Sequence, residues 1–323
     1  MNLLYQNIGD ELNLGNLSSV DIIQTLWSGY GKLVRLTFPT KSIIVKHVQL
    51  PKPSEYPRGW NSDVSHQRKL HSYQVEVNWY ENFSQTISER CPIPQGLKSV
   101  QKENEWLIVM EDLSSAGFPS IIKNANRGHL EAVLYWLANF HACYMGRRSE
   151  LIWRHGTYWH IETRLDELEV LKDKELKKFA KDIDNALEEN RYQTIVHGDA
   201  KLANFCFNNE GSKCAALDFQ YVGHGCGMKD VALFMSSSVA PEACEEMEAW
   251  VLQYYFTALD EALKHYQPHL NSAEVEKEWR PMFALAWADF QRFIKGWSPN
   301  HYKINAYTER LTQRALGIIG KRY

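Results

Sequence analysis

The first third of the chain alternates short apolar runs with turn-forming residues, a pattern typical of β-strands. Residues 21–27 and 32–38 predict two strands joined by the turn Ser28-Gly29-Tyr30-Gly31, and residues 42–46 continue the pattern after a second turn. A further apolar run at residues 106–110 has the length of a buried strand. We therefore expect a small sheet in this part of the protein.

Helical periodicity dominates the remaining chain. Residues 71–83 are amphipathic at helical spacing, and residues 127–144 repeat apolar side chains with a period near 3.6. Residues 162–190 are highly charged and predict a surface helix. Two long helices are expected at residues 240–266 and 271–296.

Composition and charge narrow the class of protein. A chain of 323 residues exceeds one compact core, so two lobes are expected. The hydrophobic content of 44% is that of a soluble globular protein. The net charge of −3 argues against a nucleic-acid partner, because neutralising phosphates takes a concentrated basic surface.

Cysteine spacing and hydropathy favour a cytoplasmic protein. The six cysteines form no Cys-x-x-Cys pair, and the polar N-terminus carries no export signal, so reduced thiols are the simplest interpretation. No apolar run approaches the ~18 residues of a membrane span, and no membrane partner is expected.

Chemistry-bearing residues concentrate in residues 195–220. An apolar run leads into His197-Gly198-Asp199, Asn204 follows, and Asp218 ends a second apolar run. Phosphoryl transfer needs a carboxylate beside the attacking hydroxyl, and an amide and a second carboxylate on magnesium. Mg²⁺ prefers such oxygen ligands and neutralises charge on the phosphate. We therefore expect Asp199 to be the catalytic base and Asn204 and Asp218 to bind Mg²⁺, with an ordinary hairpin as the alternative.

Nearer the N-terminus, a turn and a lysine suit a bound nucleotide. Gly29 and Gly31 permit a tight turn, and with Ser28 they could bring the backbone close to a phosphate; a plain hairpin turn is the alternative. Lys46 ends an apolar strand, so its ammonium can reach a cleft while its stem packs. A solvated strand-edge lysine is the competing interpretation.

A glutamate on the 71–83 helix is the expected partner of that lysine. Glu76 lies on the inward side of the helix beside Tyr73 and Tyr80, which suits an ion pair with Lys46. Glu81 is the alternative partner, and a solvent-facing Glu76 is the other alternative.

The loop from His197 to Asn204 and the segment Asp218-Phe219-Gln220 resemble those of small-molecule kinases with a protein-kinase-like fold. That superfamily contains aminoglycoside phosphotransferases, choline kinases and ecdysteroid kinase-like proteins, and the run from Asp218 to Asp230 most resembles the last of these and their bacterial relatives. The resemblance implies a bilobal α+β fold, with a small antiparallel-sheet N-lobe at residues 1–113 and a larger, mostly helical C-lobe at residues 114–323. It also implies ATP and Mg²⁺ as cofactors.

The resemblance assigns further roles. It places the hinge between the lobes at Met110, Glu111 and Leu113, where backbone groups would meet the adenine. Lys201 would touch the transferring phosphoryl group, with a solvent-facing lysine as the alternative.

Two more residues would support the catalytic loop. Asp230 would accept hydrogen bonds from the backbone of the loop, and His197 would hold the loop in position while Asp199 handles the proton.

An acceptor pocket in the C-lobe is the least constrained expectation. Trp287, Asp289 and Trp297 combine aromatic faces with a carboxylate, which suits a cationic ligand. Choline kinases bind their amine among aromatic residues in this lobe. Core packing of the apolar stripe is the alternative.

The function expected is ATP- and Mg²⁺-dependent phosphorylation of a hydroxyl on a small molecule, whether aminoalcohol, sterol-like, sugar or aminoglycoside-like. A protein kinase is disfavoured by the His-Gly-Asp form and by the absence of Ala-Pro-Glu after Asp218. A non-catalytic nucleotide-binding or interaction protein is the other alternative, but it would have no need of Lys46, Asp199, Asn204 and Asp218 together. The oligomeric state is left open.

Overall fold

The N-terminal part of the protein is built on one antiparallel sheet. The computed structural model describes residues 2–26, 29–49, 63–86, 88–102 and 105–321. The strands are β1 (Ser19–Thr25), β2 (Gly31–Thr37), β3 (Ser42–Gln49), β4 (Gly96–Lys102) and β5 (Glu105–Glu111), and they pair in the order β1-β2-β3-β5-β4. The central position of β3 explains its apolar run, since both of its faces are covered.

Each face of this sheet packs against one helix. Ile43 and Val45 of β3 face α1 (Asn2–Glu11), which contributes Tyr5 to their cluster. Ile44 and Val48 face the opposite way, toward α2 (Asp63–Asn82). This alternation follows from the two-residue period of a strand. It also directs the side chain of residue 46 toward α2.

The C-terminal part is mostly helical. Its helices are α3 (Arg127–Cys143), α4 (Leu165–Glu169), α5 (Lys174–Glu188), α6 (Met228–Ser238), α7 (Cys244–Tyr266), α8 (Ser272–Trp297) and α9 (Ala306–Ile319). Between α5 and α6 the chain forms four short strands, of which β7 (Thr194–Val196) pairs with β10 (Gly223–Gly225). The other two, β8 (Phe205–Phe207) and β9 (Cys214–Ala216), pair with each other, and β8 also pairs with β6 (Ser120–Ile121), which precedes α3.

One expectation about helices needs correction, and one helix was not predicted. The charged segment 162–190 is not one surface helix, because the chain breaks after α4 and restarts at α5, where the Asp173 side chain accepts the Leu176 N–H as an N-cap. One side of α5 is buried through Leu176, Ile183 and Leu187. The helix α1 lies in a stretch whose sequence pattern carries little signal, and packing on the sheet stabilises it.

Aromatic stacking joins the sheet region to the helical region. Trp79 of α2 is fully buried, and its ring stacks on Phe219 with centroids 4.7 Å apart and on Phe83 at 4.9 Å. The hydrophobic cluster that contains Trp79 continues through α3 to Ile319 of α9. A small antiparallel sheet followed by a mostly helical region confirms the predicted α+β class.

No helix in the described part of the chain combines the length and the apolar composition that crossing a membrane requires.

Candidate active site

The tripeptide His197-Gly198-Asp199 follows β7 and forms a tight turn. Gly198 has a φ of 79°, in the left-handed region that favours glycine. A Cβ at this position would overlap the carbonyl oxygen of Tyr221, so the close packing of two backbones also demands glycine. The turn carries Asp199 out of the small β7–β10 sheet at a fixed angle.

The carboxylate of Asp230 accepts hydrogen bonds from the backbone of this turn. The backbone N–H of His197 donates to Oδ2 at 2.6 Å, and the N–H of Gly198 donates to Oδ1 at 2.9 Å. His141 Nε2 lies 3.1 Å from Oδ2. Asp230 is fully buried in the first turn of α6, where the helix dipole also favours a negative charge.

The His197 ring braces the same turn. Nε2 lies 3.0 Å from the Leu217 carbonyl, and Nδ1 lies 3.2 Å from the Asp199 N–H, which it accepts. Nε2 therefore carries the proton and donates it to the carbonyl. Burial lowers the pKa of His197, which keeps the ring neutral. The ring thus joins the turn to the residue preceding Asp218.

Asp199 presents one carboxylate oxygen that has no partner. Oδ2 accepts from Lys201 Nζ at 2.7 Å and from Asn204 Nδ2 at 3.0 Å. Oδ1 is buried and has no hydrogen-bond partner in the part of the chain that the structure describes. Burial raises the pKa of Asp199, although the Lys201 charge opposes this change. An unoccupied acceptor on a desolvated carboxylate suits a group that receives a proton from a hydroxyl.

The amide of Asn204 is oriented by the same loop. Its Nδ2 donates to the Asp199 carbonyl at 2.8 Å as well as to Asp199 Oδ2. Both bonds use the amide nitrogen, so the amide oxygen is the atom left to coordinate a metal. An amide oxygen beside a carboxylate is a donor set that fits Mg²⁺.

Asp218 lies beside two groups that fix its side chain. Oδ1 accepts from Lys46 Nζ at 2.9 Å and from Gln220 Nε2 at 2.8 Å. Burial would raise the pKa of Asp218, but the charges of Lys46 and Lys201 and the hydrogen bond from Lys46 together hold that pKa below its usual range. The backbone φ of 71° is uncommon for a residue other than glycine and marks a constrained position.

Lys46 also contacts Glu76 of α2. The Nζ atom lies 2.8 Å and 2.7 Å from the two carboxylate oxygens, and both residues are buried. Burial would lower the pKa of Lys46, but Asp218 and Glu76 together raise it, so the ammonium stays charged. The structure therefore brings Lys46, Glu76 and Asp218 together.

Two residues next to Asp218 were not singled out from the sequence. Lys69 Nζ donates to Gln220 Oε1 at 2.6 Å, and Gln220 Nε2 in turn donates to Asp218 Oδ1. Burial and the charge of Lys46 lower the pKa of Lys69 to about 8. Gln220 lies within the Asp218-Phe219-Gln220 segment, so the motif itself offered a signal, whereas Lys69 carries none.

Lys303, between α8 and α9, is a third residue that was not singled out from the sequence, and it lies near Asp199. Its Nζ lies 3.0 Å from Ser236 Oγ and over the Phe290 ring at 5.3 Å. Burial lowers the pKa of Lys303 to about 8, while the negative charge of Asp199 opposes this change. Lys303 therefore adds a second ammonium, with Lys201, to the surroundings of Asp199.

The glycine turn is described only in part. Ser28 lies outside the described residues. Gly29 has a φ of 76°, and no atom of the described residues lies within 4 Å of a Cβ built there, whereas a Cβ on Gly31 would overlap the carbonyl of His47. Gly31 is thus required by the sheet, and Gly29 borders open space. Contact of these residues with a phosphate stays a prediction.

The expected hinge residues take part in local contacts. Met110 is buried and pairs with Ile44, and the Glu111 N–H donates to the Gln95 carbonyl at 2.9 Å. Leu113 is buried, and its carbonyl accepts the Phe118 N–H at 2.8 Å. Their role in adenine binding, like the lobe boundary at residue 113, stays a prediction.

Asp112, between these residues, has specific side-chain partners. It is buried, and its Oδ2 lies 2.7 Å from Arg35 Nε and 2.6 Å from Ser42 Oγ. Burial would raise the pKa of Asp112, but these hydrogen bonds lower it.

The three residues considered for an acceptor pocket lie in different surroundings. Trp287 is buried against Phe283 and Tyr307, as the packing alternative expects. Asp289 is buried in an ion pair with Arg292 at 2.8 Å. Trp297 is 54% exposed. The structure therefore does not bring the three together.

Comparisons of sequence and of structure identify similar proteins. A sequence model of the ecdysteroid kinase-like family matches residues 37–152 and 155–268. An ethanolamine kinase from Plasmodium vivax is 13% identical, with 100% of this chain and 89% of that chain covered, at a TM-score of 0.55. A microcompartment-associated aminopropanol kinase is 12% identical, with 98% and 97% covered, at 0.50. A choline kinase from Streptococcus pneumoniae is 13% identical, with 99% of each chain covered, at 0.40. No curated protein matches the chain by sequence.

The first two structures show a shared fold, since identities this low carry no further conclusion. The bilobal, protein-kinase-like architecture expected from the sequence is confirmed.

Replacing Asp230 by alanine tests the support of the turn. The variant leaves the N–H groups of His197 and Gly198 buried without an acceptor, so we expect the free energy of unfolding to fall by about 2–5 kcal/mol. Urea unfolding measures this change. The control is Glu246→Ala, at an exposed position in the first turn of α7, which should cost less than about 1 kcal/mol. Equal losses in both variants would contradict the assigned support.

Proposed function

Because the chain belongs to the ecdysteroid kinase-like family, we propose that it is an ATP- and Mg²⁺-dependent phosphotransferase acting on a hydroxyl of a small molecule. The observation that carries the proposal is the unpartnered Oδ1 of Asp199, within one cluster that also holds Asn204, Asp218 and Lys46. Each group matches a distinct requirement of phosphoryl transfer, namely a proton acceptor, two oxygen ligands and a cation for the phosphates.

In this proposal the residues of the chain have separate tasks. Asp199 Oδ1 receives the hydrogen bond of the attacking hydroxyl. It takes the proton as the hydroxyl oxygen bonds to the γ-phosphorus of ATP and the bond from that phosphorus to the leaving ADP breaks. The Asn204 amide oxygen and the Asp218 carboxylate hold Mg²⁺, which supplies positive charge to the phosphate oxygens when bound. Lys46, oriented by Glu76, binds the phosphates, and Lys201 faces the transferring group. Such preorganised charges contribute most of the catalysis in sites of this kind.

The surroundings of Asp199 favour an uncharged acceptor. Lys201 and Lys303 both lie near the carboxylate, and a cationic acceptor would approach two ammonium groups. Sterol-like and sugar hydroxyls avoid this repulsion, whereas aminoalcohols and aminoglycosides do not.

A non-catalytic nucleotide-binding protein with the same fold is the second candidate. It is disfavoured because the orphaned Asp199 Oδ1 is desolvated, which costs stability and serves nothing in a protein that only binds. The next experiment separates the two candidates.

Two substitutions should divide catalysis from nucleotide binding. Asp199→Asn removes the base, so we expect turnover to fall by about 10²–10⁴-fold with nearly unchanged Mg-nucleotide affinity. Asp218→Ala should instead weaken that affinity. Coupled ADP release, with or without an acceptor, measures the first effect, and calorimetry measures the second. Asp182→Asn, on α5, is the control and should change neither. If Asp199→Asn turns over as fast as the wild type, Asp199 is not the catalytic base. If the wild type itself releases no ADP, the non-catalytic nucleotide-binding protein is favoured.

The acid limb of the pH profile should depend on Lys201. Asp199 must be deprotonated to accept a proton, so activity falls as the pH drops through its pKa, which burial has raised. Lys201→Met removes the positive charge that opposes this rise, so the pKa increases further and the acid limb of kcat/KM moves to higher pH. Lys213→Met, at an exposed site in the β8–β9 loop, should leave the limb in place. A shift to lower pH in Lys201→Met would contradict Asp199 as the base.

A screen of acceptors tests the preference for uncharged hydroxyls. We expect ADP release with sterol-like or sugar alcohols to exceed that with aminoalcohols and aminoglycosides at pH 7, where Lys303 is mostly protonated. Lys303→Met should shift the ratio toward cationic acceptors because it removes one repulsive charge. A wild-type preference for aminoalcohols that Lys303→Met leaves unchanged would overturn this interpretation.

A further inference from the structure

A cavity lined by His224 and Gly225 of β10 lies apart from the residues proposed for catalysis, since none of them lines it. It has a volume of about 260 Å³ and lies between β10, the first turn of α6, the end of α5 and the segment 148–155. We propose that this basic cavity, defined by Lys229, Arg148 and Arg154, binds a small phosphate-bearing anion.

Lys229 provides the main observation. The residue is 1% exposed and lines the cavity, yet its side chain forms no hydrogen bond and no ion pair with any residue the structure describes. The buried lysines of the active site differ, because Lys46 contacts two carboxylates and Lys69 an amide oxygen. The ammonium of Lys229 opens onto the cavity, and a bound anion would supply the direct partner that no described side chain provides.

Two arginines stand at the exposed rim of the same cavity. Arg148 and Arg154 line it, and neither forms an ion pair within the described ranges of the chain. Guanidinium groups bind phosphate through paired N–H donors, so an anion held by Lys229 at the buried end would meet them at the rim.

The rim arginines are held close to the cavity by His224. Its Nε2 accepts the Ser149 N–H at 3.1 Å, and its Nδ1 lies 3.3 Å from the Arg154 carbonyl. Both contacts join segment 148–155 to β10. A Cβ on Gly156 would also overlap Val196 of β7, so the segment lies directly on the small sheet. The cationic groups are thereby organised before any ligand arrives.

The acidic residues of the cavity do not cancel these charges. Glu188 Oε1 lies 2.8 Å from His155 Nδ1 and 3.0 Å from His160 Nε2, so it is engaged by two histidines. Burial would raise the pKa of Glu188, but these hydrogen bonds hold it well below its usual range. Glu189 lies exposed at the rim. The buried Asp184 is close enough to Lys229 for their charges to interact, but it already contacts His160 Nε2 at 3.2 Å and Lys181 Nζ at 2.8 Å. Three cations thus face one exposed carboxylate and two that already have partners.

A divalent metal at His155, His160 and Glu188 is the competing occupant. Their ligand atoms lie within 4.8 Å of one another, but His160 Nδ1 already accepts the Glu162 N–H at 3.3 Å. Nε2 therefore carries a proton toward Glu188 and Asp184, which lies 3.2 Å away, and a protonated nitrogen does not bind a metal. His155, His160 and Glu188 therefore form an ion-pair network. Metal binding by these residues is one of the outcomes that the experiment below distinguishes.

The cavity is coupled to the catalytic loop by adjacency. Lys229 precedes Asp230, whose carboxylate holds the turn at His197 and Gly198. Gly225, which lines the cavity, pairs with Thr194 at the start of β7. An anion on Lys229 would therefore steady the support of that loop. Binding itself does not depend on the function proposed above.

Inorganic phosphate is the probe, titrated at constant ionic strength with chloride as the balancing ion. Calorimetry of the full chain should show phosphate binding that weakens by about tenfold or more in Lys229→Met and in the double variant Arg148→Ala/Arg154→Ala. Lys213→Met, a lysine on another surface, should bind as the wild type does. Because the arginines are exposed, the double variant should fold even if Lys229→Met does not.

Thermal unfolding adds a readout that a structural lysine would not give. Without phosphate, Lys229→Met should melt at or above the wild-type temperature, because a costly buried charge is gone, and it should lose the increase that phosphate produces in the wild type. A lower melting temperature of the variant without phosphate would assign Lys229 to an internal ion pair and overturn the proposal. Phosphate affinity equal in all variants, or no phosphate binding, would do the same. The proposal would also be overturned if the protein bound one Zn²⁺ ion per chain, lost that binding in His155→Ala, and bound no phosphate.

Discussion

The ammonium of Lys46 between the carboxylates of Glu76 and Asp218 is the interaction on which the rest of the site depends. It joins β3, α2 and the segment after β9, three parts of the chain far apart in sequence. Each contact is shorter than 3 Å. Lys46 and Glu76 are buried, so removing one partner would leave an uncompensated charge in a low-dielectric setting. The fold tolerates such a concentration of charge because the groups balance one another, with Lys69 and Gln220 extending the network.

Apolar packing sets this network in place. Trp79 stacks on Phe219, the residue directly after Asp218, so the helix that carries Glu76 is held against the segment that carries Asp218. The same α2 packs on the sheet through Tyr73 and Tyr80. Dispersion and burial thus fix the distance between groups whose electrostatic interaction falls with separation. Asp230 performs the corresponding task for the catalytic turn, where a carboxylate in the first turn of α6 replaces the missing backbone partners.

Expectations from the sequence held where the pattern was local. The strands around residues 32–46 and 106–110 and the helix at 127–144 lie where periodicity and turn residues placed them, with boundaries shifted by a few residues. The prediction of one surface helix at residues 162–190 was wrong because it rested on the charged composition of the segment. The structure there is decided by the buried side of α5 and by the N-cap at Asp173. Trp287 and Trp297 share an apolar stripe in the sequence, yet one is buried and the other is half exposed. Trp297 is the last residue of α8, and its ring stacks on Phe293 with one face left to solvent.

The sequence by itself determined the types of residue that phosphoryl transfer requires, their spacing around His197-Gly198-Asp199 and the family to which they point. Those features are local, since a turn, a loop length and a strand period are set by neighbouring residues. Only the tertiary structure decided that Asp199 Oδ1 lacks a partner among the described residues and that Lys69 and Lys303 approach the site. It also decided that Lys229 lies buried with no described side chain in direct contact with its ammonium. These properties depend on which distant side chains pack together and on how much water they exclude, and neither quantity is encoded at any single position.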